Sequence, residues 1–75
     1  MKRDSETKKA AQQTFSNIAL TRLNDSIQNF NSIRNIDASQ PKGRLAYAEI
    51  LMEAEENLLT IKNQINALRL LYRED

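Results

Sequence analysis

Cysteine and histidine are both missing from this chain of 75 residues. Without cysteine there is no disulfide staple and no thiolate nucleophile or ligand. Without histidine the commonest general base and the usual nitrogen ligand of transition metals are gone as well. Glycine and proline occur once each, as Gly43 and Pro41. Folds rich in strands and tight turns need many of both, which disfavours a β-rich or loop-dominated architecture. A lone glycine also builds no phosphate-cradling loop. The four aromatics, Phe15, Phe30, Tyr47 and Tyr72, form no stacking pattern for bases. No apolar run approaches the length of a membrane span. The basic N-terminal stretch is followed by no apolar core of a secretory signal, so a cytoplasmic address is expected, in a cell or an infected host.

Charge is nearly balanced, 11 Lys and Arg against 10 Asp and Glu for a net of +1, so the overall field selects no partner class. Its distribution is uneven. Residues 1–13 carry Lys2, Arg3, Lys8 and Lys9 against Asp4 and Glu6, and read as a polar, basic N-terminal arm or a frayed helix start. Arg34, Lys42 and Arg44 surround Asp37 in the middle of the chain. Glu49, Glu53, Glu55 and Glu56 follow as an acidic block.

Apolar periodicity supplies the fold class, an all-α, two-helix antiparallel hairpin over residues 14–75. The first helix is expected over about 5–35, capped by Asp4 or Ser5 with Glu6 in its first turn. Phe15, Ala19, Leu23, Ile27, Phe30 and Ile33, with Leu20 beside them, fall on one arc of roughly 140°. Around Pro41 the helical pattern stops. Proline is tolerated in a first helical turn, and Ser39 is positioned to cap the helix that begins there. The loop is therefore expected over about 36–41 and the second helix over about 42–72, folded back on the first.

The second helix carries more apolar surface than one neighbour needs. Tyr47, Leu51, Ala54, Leu58, Ile61, Ile65, Leu68 and Tyr72 form an unbroken heptad seam, widened by Ile50, and are expected to be the hairpin's core. A second ridge, Leu45, Met52, Leu59 and Leu70 with Ala48 beside it, lies well round from that seam. A charged strip of Glu55, Lys62, Arg69 and Arg73 separates the two on one side. A helix with two apolar faces is sandwiched between two neighbours. Another copy of the chain is the expected second neighbour, since a short hairpin without disulfide or metal is stabilised by oligomerisation. Two hairpins would close a four-helix bundle. A groove for a different protein is the alternative.

No constellation for catalysis is visible, and no catalytic residue, cofactor or metal ligand is expected. Glu49, Glu53 and Glu56 share a helix face, but the Glu-x-x-His partner of helical carboxylate sites is missing, and acids early in a helix suit its dipole. No serine or threonine has a neighbouring base with a third group to orient it. The leading expectation is a small protein-binding module of the kind phages and mobile elements encode: an adaptor, assembly factor or inhibitor acting through Leu45, Ala48, Met52, Leu59 and Leu70. The alternative is a dimeric nucleic-acid-binding regulator using Lys8, Lys9, Arg34, Lys42 and Arg44. A structural or scaffolding subunit of a larger particle is a further reading. Membrane binding is not expected, because the first helix lacks a lysine-rich polar face.

Overall fold

A computed structural model describes the backbone of residues 2–73 and the side chains of residues 5–73. The expectations attached to the side chains of Lys2, Arg3 and Asp4 lie outside the described residues. Two helices make up the hairpin, α1 over Lys2–Asn35 and α2 over Pro41–Leu71. They pack side by side into a rod of 60 × 20 × 12 Å. The basic arm is helical from Lys2, so Asp4 and Ser5 sit inside α1 and not at its cap. Tyr72 closes the open end. Its hydroxyl and Gln12 Oε1 lie 2.8 Å apart in a hydrogen bond, and Lys8 Nζ stands 5.8 Å from the ring centroid. Residues 2–11 therefore run past the end of α2.

The connection is short because side chains and backbone both fold it. The backbone N–H of Ser39 donates to Asp37 Oδ1 at 3.0 Å, the Ser39 hydroxyl donates to the same oxygen, and Gln40 N–H reaches Asp37 O at 3.4 Å. Ser39 is thereby committed to the turn. The residue at the N-cap of α2 is Gln40, extended at φ −93 and ψ 144, and its side chain makes no cap bond. Arg44 reaches back from the first turn of α2 and donates to the Ala38 and Ser39 carbonyls, both at 3.3 Å. The donors on Asp37 hold its carboxyl below the usual value of 3.8. A carboxylate with a depressed folded-state pKa adds stability above the unfolded value and loses it as pH falls through the folded one. The amide signal of Ser39 is therefore expected to shift by NMR with a midpoint below pH 3.8, and an Asp37→Asn chain should show no such step.

The seam between the helices uses only part of each predicted apolar arc and adds polar residues to it. From α1 it takes Phe15, Ala19, Ser26, Asn29 and Ile33; from α2 it takes Tyr47, Ile50, Ala54, Asn57, Ile61 and Leu68. Ala54 is the one buried apolar residue among those described, at 3% exposed, beside the polar Asn57, Ser26 and Asn29 at 3–6%. Leu58, Ile65 and Tyr72, read from the sequence as core, are about half exposed. So are Leu23, Ile27 and Phe30 of α1, and Leu20 is more so. The reason is geometric. One neighbouring helix covers only part of a 140° arc, and here each helix turns one edge of its arc to the other, leaving the rest open.

Candidate protein interface

The uncovered residues lie on one side of the hairpin. At 100° per residue, Leu20, Leu23, Ile27 and Phe30 sit about a quarter-turn round α1 from the seam, and Leu51, Leu58 and Ile65 lie in the same rotational sense round α2. Because the helices run antiparallel, equal senses of rotation bring both sets to the same broad face. The side chains on that face are 46–61% exposed apart from Leu51, which is half-buried. A contiguous apolar face of this extent is a candidate interaction surface.

Total area is also large for the mass, as the elongated rod requires. The hairpin exposes 6246 Å². A compact monomer of 8.6 kDa is expected to expose about 4,700 Å², so each chain carries roughly 1,500 Å² of excess surface. That lies within the range each partner contributes to large, obligate interfaces, roughly 1,000–2,500 Å².

The seam itself is held by polar contacts at mid-length. Asn57 Nδ2 donates to Asn29 Oδ1 at 2.9 Å, and Arg22 Nη1 donates to Asn57 Oδ1 at 3.3 Å. Arg22 also lies 3.9 Å from Asp25. Ser26 Oγ and Gln64 Oε1 are buried without a partner. A buried amide in a helical seam specifies register at a cost in stability, since only one alignment brings donor to acceptor. Asn57→Ala is expected to cost about 1–3 kcal/mol, because it leaves Asn29 buried and unpaired. Replacing both, Asn29→Leu with Asn57→Leu, should recover that loss or exceed it. Urea denaturation of the single and double variants measures the difference, and a single variant as stable as the parent would remove the amide pair's role.

The ridge read from the sequence lies on the far side of α2 from the seam. Leu45 and Met52 are each 64% exposed, Leu59 and Leu70 only slightly less, and Ala48 is exposed at the border with the broad face. A shallow depression lined by Glu55, Glu56, Leu58, Leu59 and Lys62 joins the ridge to that face. Among the described residues none of Glu49, Glu53, Glu55 and Glu56 forms an ion pair. The basic residues separate into two groups. Lys8 and Lys9 lie on the part of α1 beyond Gln12, whereas Arg34, Lys42 and Arg44 are at the loop, near the other end of the rod. Arg34 donates to Asn31 Oδ1 at 3.2 Å, and Arg44 is occupied with the loop carbonyls. A single hairpin does not bring the five together.

Among the described residues no group of three His, Cys, Asp or Glu side chains is placed to hold a metal ion, and no helix is long and apolar enough to cross a membrane. The apolar pattern reads neither half of the broad face as surface, since it assigns the apolar arc of α1 and Leu51, Leu58 and Ile65 of α2 to the hairpin's own core. The α1 half nevertheless carries a signal in Ser26 and Asn29 at core spacing beside the leucine and phenylalanine positions, a pattern expected when an arc is shared between two neighbours. Fold and surface together define a two-helix hairpin with a polar-pinned seam and an uncovered apolar side. No family model matches the chain, and comparisons with curated proteins and with solved structures find no match.

Proposed function

We propose that this chain is a non-enzymatic protein-binding module that works as a homodimer, an adaptor, assembly factor or inhibitor. A second copy covers the broad face to give a four-helix bundle, and the outer ridge of α2 is left for a different protein. The observation that carries this reading is the distribution of apolar surface. Large side chains of both helices stand half exposed on one side, while three of the four buried residues among those described, Ser26, Asn29 and Asn57, are polar. In a four-helix bundle each helix has two neighbours, and arcs of the width seen here would be fully used.

The ridge points away from that face, so dimerisation leaves it accessible. Leu45, Met52 and Leu59 recur a heptad apart, with Glu49 and Glu56 along one side and Glu55 along the other. The complementary partner is an amphipathic helix with apolar anchors at matching spacing and Lys or Arg on its flanks. Methionine at the centre of the ridge suits such a surface because its side chain adapts to irregular partners.

The test combines mass and capture. The parent chain should sediment as a dimer at micromolar concentration. A synthetic helix bearing leucines in heptads with lysine flanks should bind it, and Leu59→Glu should reduce that binding at least tenfold without changing the dimer mass. A monomeric parent would overturn the dimer, and undiminished capture by Leu59→Glu would overturn the ridge.

A further inference from the structure

The geometry points to one arrangement for the second copy: the two hairpins pack face to face and head to tail, loops at opposite ends, with α2 against the partner's α2 and α1 against the partner's α1. This rests on the dimer proposed for the broad face and adds its direction, which the amount of apolar surface does not determine.

The first support is symmetry within the face. On α1, Leu20 and Phe30, and inside them Leu23 and Ile27, are spaced evenly about position 25. On α2, Leu51 and Ile65 are spaced evenly about Leu58. The two centres belong to different helices, yet the hairpin brings them level: Asn57 bonds to both Arg22 and Asn29, which bracket position 25. A two-fold axis across the helices at that level maps the apolar set onto itself. Leu58 then meets the partner's Leu58, Leu51 meets the partner's Ile65, and Leu20 meets the partner's Phe30. An isologous interface requires this self-complementarity.

The second support is charge. Glu55, Lys62 and Arg69 follow one another a heptad apart along the rim of α2 that borders the broad face, at the positions that flank a helix–helix contact. Reversed against itself, this strip sets Glu55 opposite the partner's Lys62 and Lys62 opposite the partner's Glu55, while Arg69 meets the partner's Ala48. With the loops at the same end, a two-fold axis along the rod would lay α2 on the partner's α1. Glu55 would then lie against the partner's Ile27 and Lys62 against the partner's Leu20, desolvating both charges without a counter-ion. Only the reversed pairing gives Glu55 and Lys62 counter-ions, although it leaves Arg69 and Arg73 without one, and among the described residues neither Glu55 nor Lys62 has an ion-pair partner within its own chain.

The absence of native cysteine makes the direction measurable with a single label. Gln40 is exposed at the loop and its side chain makes no cap bond, so Gln40→Cys carries a nitroxide without disturbing the turn. It lies 17 residues before Asn57 along α2, roughly 25 Å from the proposed axis, so pulsed electron resonance should read about 50 Å between the two labels. A dimer whose labels lie within about 25 Å of each other has its loops together and overturns the direction, leaving the dimer intact. A monomeric labelled chain overturns the dimer itself. Charge reversal is the second measurement. Glu55→Lys or Lys62→Glu alone should weaken dimerisation about three- to tenfold, and the two together should restore it to within about twofold. Single reversals that leave the dimer unchanged would show that these side chains do not face each other.

Discussion

Leu58→Glu is expected to convert the proposed dimer into a monomer at concentrations where the parent chain pairs. Leu58 is about half exposed on the single hairpin and lies at the centre of the broad face, so a two-fold axis there brings both copies together. A leucine already half covered gains about 0.7–1.5 kcal/mol when the rest is buried, and one substitution removes two such gains. The replacements also place two carboxylates against each other away from water, which is opposed by desolvation and by like charge. Together these exceed about 3 kcal/mol, at least 100-fold in the dissociation constant. Sedimentation equilibrium over a hundredfold range of concentration measures the change. Met52→Glu provides the contrast, since Met52 lies across α2 on the outer ridge and should leave the mass unaltered. A Leu58→Glu chain that remains dimeric would place the contact surface elsewhere and end the bundle reading.

Gly43→Ala is expected to destabilise the hairpin although alanine is the better helix former. Gly43 has an ordinary negative φ, so no backbone preference for glycine operates there. Space is the constraint. A Cβ at this position would collide with the carbonyl oxygen and carbon of Asp37, both backbone atoms, with Ile36 Cγ2 in contact behind them. The loop must shift to admit it, and the shift breaks the hydrogen bonds that Gln40 and Ser39 make to Asp37. Overpacking of this kind costs about 1–3 kcal/mol. Alanine's higher helix propensity returns up to about 1 kcal/mol. The net is a loss near 1–2 kcal/mol, read as a fall in Tm of roughly 5–10 °C at matched protein concentration. An unchanged or raised Tm would mean that the loop yields freely, and the close approach of α2 to Asp37 would then have no part in fixing the hairpin.

Both effects come from features with very different visibility in the sequence. Two helices broken near Pro41 follow from the paucity of glycine and proline and from heptad spacing. The structure places α1 over Lys2–Asn35 and α2 over Pro41–Leu71, packed against each other. The outer ridge was equally readable, because leucine and methionine a heptad apart on a face opposite the seam stay exposed in any hairpin. Less was legible at the turn. Ser39 has the right chemistry to cap α2, but Asp37 competes for its hydroxyl and its N–H, and the cap falls to Gln40. Local propensity does not resolve a competition between two acceptors a few residues apart.

From residue order alone came the helical class, the single reversal and the surplus of apolar side chains, all of which depend on periodicity and short-range chemistry. Tertiary structure alone decided which part of each apolar arc meets the other helix. Periodicity states how wide an arc is but not how the helix is turned about its axis, and that rotation follows from long-range contacts such as Arg22 and Asn29 meeting Asn57. The same rotation leaves Leu20, Leu23, Ile27 and Phe30 beside Leu58 and Ile65 on one open side, the surface on which the proposed function depends.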